Sequence, residues 1–202
     1  APGWVYGFPE LHGQREQIAS AARVANPGCY ATGFIALMRP LVELGILPPD
    51  YPLACHALSG YTGAGKKAIA QYEADDREEE LSSPRHYAMG LNHKHLSEMA
   101  ILCGLEGPPV FSPMICDYPQ GMVVTVPIHL ELLGRCKCVE ELREAYKGYY
   151  KAESLVDIRP PDAPSCGFLG ANNLAGKDSL QIFVNGNGAQ AVLTARLDNL
   201  GK

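Results

Sequence analysis

Alternation of apolar and polar positions is the clearest signal along the chain. Across residues 122–133, Val124, Val126, Ile128, Leu130 and Leu132 share one face, and Val123, Thr125, Pro127, His129 and Glu131 share the other. That is the pattern of a half-buried antiparallel strand. Two further apolar stretches, 180–184 and 190–197, flank Asn185-Gly186-Asn187-Gly188. Residues that tolerate positive φ in such a gap predict a hairpin. Residues 53–58 and 99–105 read as short strands. Helical spacing appears over 29–44, where Phe34, Leu37, Met38, Leu41 and Leu44 recur on one face and Pro40 is expected to kink the helix. Residues 66–72 open a second helix, and 139–150 form an amphipathic third. Leu47-Pro48-Pro49-Asp50 is a turn. The acidic run through Asp75, Asp76, Glu78, Glu79 and Glu80 reads as a solvated face or loop. Together these elements predict an α+β domain over residues 1–202, with a mostly antiparallel or mixed sheet covered by helices.

Composition narrows the function classes. The chain has 202 residues, 47% of them hydrophobic, enough to bury a core. Net charge is −5, which leaves no basic excess to neutralise phosphates and argues against a nucleic-acid partner. Mean hydropathy is −0.07, and no apolar run approaches the roughly 18 residues of a membrane span. The seven cysteines are odd in number, and most sit among apolar neighbours. Free thiols in a reducing cytoplasm fit better than a disulfide framework. The first residues lack both a signal-peptide pattern and an initiating Met, so the chain reads as starting inside a longer protein.

Two constellations carry chemistry. In Asn26-Pro27-Gly28-Cys29-Tyr30-Ala31-Thr32-Gly33, Pro27 and Gly28 make a tight turn and Cys29 falls at the start of the predicted helix. Backbone N–H groups and the helix dipole there favour an anion. A thiol at that place is expected to have a lowered pKa and to act as a nucleophile, with the same N–H groups available to an oxyanion. In Asn92-His93-Lys94-His95-Leu96-Ser97-Glu98, an extended segment puts both histidines on one face, and an imidazole is the natural acid–base partner of a thiolate. Two His and Glu98 also resemble part of a zinc ligand set, without an obvious fourth ligand. A dinucleotide fingerprint is missing: no G-x-G-x-x-G occurs, and Gly60-Tyr61-Thr62-Gly63-Ala64-Gly65 has a different spacing.

These motifs, with Ser59 to Lys66, Tyr6-Gly7-Phe8-Pro9-Glu10 and Asp198-Asn199-Leu200-Gly201-Lys202, resemble the N-acetyl-gamma-glutamyl-phosphate reductase family in its shorter bacterial form. The resemblance runs in order along essentially the whole chain. It implies the catalytic and dimerisation domain of the semialdehyde-dehydrogenase and glyceraldehyde-3-phosphate-dehydrogenase type, without that family's N-terminal nucleotide-binding domain and closing C-terminal helix. It further implies NADPH-dependent reduction of an acyl phosphate to an aldehyde through a thioester on Cys29. His93 is then the acid–base residue. Asn26, Ser59, Lys66, Tyr87 and Glu98 are implied substrate contacts, and Gly60, Gly63, Gly65 and Asn199 cofactor contacts, with no metal. The implied partners are the acyl phosphate, the nucleotide-binding domain and further copies of the chain. Residues 1–202 alone are then expected to bind NADPH weakly and turn over nothing. Three rivals stand beside this reading: a lysine-pathway relative acting on an aminoadipyl phosphate, a zinc hydrolase using His93, His95 and Glu98, and a non-catalytic oligomerisation domain.

Overall fold

The computed structural model describes residues 3–201. In chain order it runs β1 (Val5–Tyr6), α1 (Gln14–Ser20), β2 (Val24–Ala25), α2 (Cys29–Glu43), β3 (Ala54–Gly60), α3 (Lys66–Tyr72), β4 (Arg85–His86), α4 (Leu96–Cys103), β5 (Val110–Cys116), β6 (Met122–His129), α5 (Val139–Tyr149), β7 (Val156–Ile158), β8 (Leu180–Gly186) and β9 (Gln190–Leu197). Single turns of 3-10 helix lie at 61–64, 79–82 and 130–132. The main sheet has the order β4-β5-β3-β6-β9-β8-β7. It is mixed: β3 with β5 and β7 with β8 are parallel, and the remaining pairs are antiparallel. β1 and β2 form a separate parallel ribbon.

The alternation seen in the sequence becomes the two faces of this sheet. Ala57, Val124, Ala195 and Ile182 are paired across four strands, and Val126, Leu193 and Val184 across three. All are buried, and α2, α4 and α5 join them in one core. The other face carries the rows Ser112–His56–Thr125–Thr194–Phe183 and Pro127–Val192–Asn185. His56, Pro127 and Val192 there are exposed.

α2 lies close on the sheet because position 33 is glycine. A Cβ there would fall 2.6 Å from Val124 Cγ2 and 3.3 Å from Leu197 Cδ2. Pro40 sits inside α2 and has no N–H to give to the carbonyl four residues back. That carbonyl, of Ala36, instead accepts the Tyr150 hydroxyl at 2.8 Å, and the next one, of Leu37, accepts the Tyr146 hydroxyl at 2.7 Å. α5 and the residue after it thus satisfy the backbone that proline disturbs.

One predicted element is corrected. Residues 99–105 are not a strand: Leu96–Cys103 is helical, with Met99 and Cys103 buried and Ile101 exposed. Gly104, at φ 70°, ends the helix in a left-handed cap. The strand over 122–133 stops at His129 and passes into a 3-10 turn.

Candidate active site

The site is assembled at the start of α2. β2 delivers the chain to Pro27, and Gly28 caps the helix in extended conformation, with φ −71° and ψ 144°. Cys29 is therefore the first helical residue. Its sulfur meets its own N–H and that of Tyr30, donors that a helix start leaves unpaired. Burial nevertheless dominates and pushes the Cys29 thiol up from its ordinary value. The two amides and then Lys94 pull it back, while Glu98 adds to the rise. The lowered pKa expected from the helix start alone is thus corrected, because desolvation of the sulfur outweighs the helix amides.

Gly28 has a steric reason to be glycine. A Cβ there would lie 2.2 Å from Nε2 of His95, inside the ring's own volume. His95 is buried, its Nδ1 has no partner among the described residues, and burial is the main cause that pushes its pKa down to about 4. It is therefore a neutral ring wedged against the nucleophile turn.

His93 is held differently. Its Nδ1 accepts the backbone N–H of His95 at 3.1 Å. The neutral ring must then carry its proton on Nε2, which faces the Tyr87 hydroxyl at 3.4 Å. Burial, then Lys94, lowers the His93 pKa. Tyr30 is the hub of the cluster, with ring centroids 6.4 Å from Tyr87, 5.8 Å from His93, 6.0 Å from His95 and 5.3 Å from Phe111. Glu98 closes it from α4. A single oxygen, Oε1, accepts the Tyr6 hydroxyl at 2.6 Å and the Gly28 N–H at 2.8 Å.

A second group forms after β3. Gly60 donates its N–H to Gly121 O at 2.9 Å, and a Cβ on Gly60 would strike Pro119 O at 2.5 Å. A Cβ on Gly63 would lie 3.0 Å from Asn199 Nδ2 and 3.3 Å from Ser59 Oγ. Asn199 is fixed at both ends: its Oδ1 accepts the Gly121 N–H at 2.8 Å, and its Nδ2 donates to Thr62 Oγ1 at 3.0 Å. Ser59 links the two groups by hydrogen bonding with Tyr30. Gly65, at φ 87°, leads into α3 at Lys66.

Cys29, Tyr87, His93 and Glu98 thus share one cluster, and Ser59, Gly60, Gly63 and Asn199 share its neighbour. Asn26 and Lys66 are exposed and have no hydrogen-bond or ion-pair partner among the described residues. Sequence reasoning assigned no role to Tyr6, Tyr30 or Lys94, although each lies inside a motif it singled out. The zinc reading finds no support in the geometry: among the described residues no three His, Cys, Asp or Glu side chains gather as a metal would need. A cavity of about 310 Å³ lined by Arg159, Cys166, Phe168 and Arg196 shares no residue with either group.

A family model described as "Semialdehyde dehydrogenase, dimerisation domain" matches residues 29–199. The chain belongs to this family. Solved aspartate semialdehyde dehydrogenases share its fold: aspartate semialdehyde dehydrogenase II from Vibrio cholerae superposes with a TM-score of 0.67 at 13% identity, covering 98% of this chain and 63% of that one. The Francisella tularensis aspartate semialdehyde dehydrogenase gives 0.69 at 10% identity, covering 99% and 67%. Sequence relatives lie nearer. N-acetyl-gamma-glutamyl-phosphate reductase 2 of Nostoc sp. is 43% identical over 213 residues, covering 100% of this chain and 66% of that protein. The N-acetyl-gamma-glutamyl-phosphate reductase of Rhizobium meliloti is 45% identical over 207 residues, covering 100% and 67%. The chain spans about two thirds of the length of the curated relatives it matches.

Proposed function

We propose that these residues carry the chemistry of an NADPH-dependent acyl-phosphate reductase that converts N-acetyl-gamma-glutamyl phosphate to N-acetylglutamate semialdehyde in arginine biosynthesis. The observation that carries this reading is the placement of Cys29 on the first turn of α2, in a cluster with Tyr87 and with His93, whose Nε2 bears the ring proton. The names of the 43–45% identical relatives supply the substrate class.

Cys29 Sγ, as thiolate, attacks the acyl carbon. The bond to the phosphate oxygen breaks and phosphate leaves with the electron pair. The N–H groups of Cys29 and Tyr30 face the charge that develops at this helix start. Asn26 and Lys66, both exposed, are assigned to the substrate, and Lys66 with Lys94, which already acts on Cys29, suits its phosphate and carboxylate. A reduced nicotinamide supplies the hydride when bound, and the corner of Gly60, Gly63, Gly65 and Asn199 fits its ring end. At that corner the missing Cβ of Gly63 lets the loop approach Asn199, whose amide is already oriented by Gly121 and Thr62. His93 Nε2–H donates a hydrogen bond to the former carbonyl oxygen and steadies the charge that oxygen takes on as the thioester is reduced, a role the neutral ring fills without losing its proton. The electron pair on that oxygen re-forms the carbonyl as the carbon–sulfur bond breaks, freeing the semialdehyde and the Cys29 thiolate. His95, a buried ring whose Nε2 edge packs against Gly28, serves by packing.

The pyrophosphate of the nucleotide is assigned to a nucleotide-binding domain outside these residues, since 1–202 contain no Gly-rich phosphate turn of the usual kind. The protein partner is a second copy of the chain, docked on the sheet face that holds His56, Pro127 and Val192. No helix among the described residues is long and apolar enough to cross a membrane, and the free thiols suit the cytoplasm.

NADPH consumption by the full-length enzyme is the test. Activity with N-acetyl-gamma-glutamyl phosphate is expected to exceed that with the aminoadipyl homologue, and His93→Asn is expected to lower turnover by roughly 10² to 10⁴. Preference for the longer acyl phosphate moves the enzyme to lysine synthesis. Full activity in His93→Asn with loss in His95→Asn exchanges the roles of the two rings.

A further inference from the structure

Tyr6 belongs to the short β1–β2 ribbon, far in sequence from the cluster it touches. The ribbon is closely registered there: Gly7 donates its N–H to Ala25 O at 2.8 Å, and a Cβ on Gly7 would lie 2.9 Å from Val24 Cγ1. That register points the Tyr6 hydroxyl at Glu98 Oε1, 2.6 Å away, and the same oxygen holds the Gly28 N–H at 2.8 Å. One carboxylate oxygen is therefore shared between the ribbon and the turn that presents the nucleophile. We infer that Tyr6 is a positioning residue for Cys29, acting through the Glu98 carboxylate on the Gly28 turn.

The physical argument concerns where the Glu98 charge sits. The groups around Cys29 are Tyr30 from α2, Tyr87 after β4, His93, Lys94 and His95 from the loop before α4, and Glu98 from α4. Of these, Lys94 favours the thiolate and Glu98 opposes it. Two donors on Oε1 disperse the negative charge and hold the carboxylate against the Gly28 amide. Removing the hydroxyl takes away the shorter of the two contacts, so more of the charge is felt at the sulfur and the carboxylate that accepts the Gly28 N–H is itself held by one bond instead of two.

The inference rests on Cys29 being the nucleophile, and the experiment separates the two. Iodoacetamide alkylation of the full-length protein is followed across pH, with each cysteine resolved by peptide mapping, for the wild type, Tyr6→Phe and Glu98→Gln. Tyr6→Phe keeps the charge and loses the donor. Its Cys29 alkylation midpoint is expected to move up by about half to one pH unit, with a roughly three- to ten-fold slower reaction at pH 7. Glu98→Gln keeps an accepting oxygen and loses the charge, so its midpoint is expected to move down. Tyr6→Phe is also expected to lower kcat and leave KM near the wild-type value. Equal midpoints in all three proteins, or shifts of the same sign in the two variants, overturn the role of Tyr6, whatever happens to activity. Failure of Cys29 to react at any pH in the wild type overturns the nucleophile assignment itself. Circular dichroism and melting of each variant show whether it is folded. If Tyr6→Phe does not fold, Glu98→Gln still decides, since an unmoved or raised midpoint there removes the charge on which the argument depends.

Discussion

Gly28→Ala is the substitution whose outcome the geometry fixes most tightly. The backbone at Gly28 has φ −71° and ψ 144°, which alanine adopts freely, so backbone strain plays no part. The added methyl would fall 2.2 Å from Nε2, 2.5 Å from Cδ2 and 2.7 Å from Cε1 of His95. His95 is a ring, not a flexible chain end, and it is buried in contact distance of Tyr30 and His93. Relief therefore needs the ring or the turn to move by about an ångström. Overpacking of this kind costs about 1–3 kcal/mol, and 2 kcal/mol in a chain of this length lowers Tm by about 4–8 °C. The same displacement at Cys29 costs about 10²-fold in turnover. The assay is thermal and urea unfolding together with NADPH consumption, for Gly28→Ala, His95→Ala and the double variant. The double variant is expected to be no less stable than His95→Ala alone, because the methyl then has room. Additive losses, or a Gly28→Ala protein with wild-type Tm and turnover, would refute the steric account of this turn.

Other outcomes follow from the same structure. His95 has a folded pKa of about 4 against an ordinary 6.5, so the unfolded chain takes up the proton first. Its contribution is absent above about pH 6.5 and becomes destabilising as pH falls toward 4, by about 2–4 kcal/mol over that window. Urea titrations from pH 7 to 4 should show that slope, reduced in His95→Gln; an unchanged slope would show that His95 is not its source. Val192, 41% exposed in the middle of the open sheet face, is expected to be covered by a second copy of the chain. Val192→Asp should convert a dimer to a monomer in sedimentation velocity without loss of secondary structure, and a dimer that persists would place the interface elsewhere.

The sheet was legible where one face is wet and one dry. β6 and β9 announce themselves because their alternating residues meet α2 on one side and face outward on the other. α4 was hidden because Met99 to Leu105 is a short apolar run, too brief for its period to tell helix from strand. Gly104 was the available signal: a glycine that interrupts the run directly after Cys103 is a helix stop. β5 was missed because Pro108, Pro109 and Pro113 break the strand pattern. Pro113 is tolerated because its carbonyl, and so its nitrogen, faces the edge of the sheet, where Tyr87 donates to it and β4 pairs over only two residues. In the site, residue types and local spacing exposed Cys29 and the His93–His95 pair. The Tyr6–Glu98–Gly28 contact spans 92 and 70 residues of sequence, so no local pattern reveals it. The thiol pKa went the other way from expectation for a similar reason: the helix start is local, but the burial that outweighs it comes from the tertiary fold.

The central claim is that the acyl group passes through Cys29, and the direct measurement is to trap it there. The full-length protein is incubated with N-acetyl-gamma-glutamyl phosphate in the absence of NADPH, quenched in acid and mapped by mass spectrometry, with phosphate release followed in parallel. The account predicts one equivalent of phosphate, an N-acetylglutamyl mass increment on the Cys29 peptide that hydroxylamine removes, and neither in Cys29→Ser. Phosphate release without an adduct, or an adduct on another thiol such as the exposed Cys166, would contradict it.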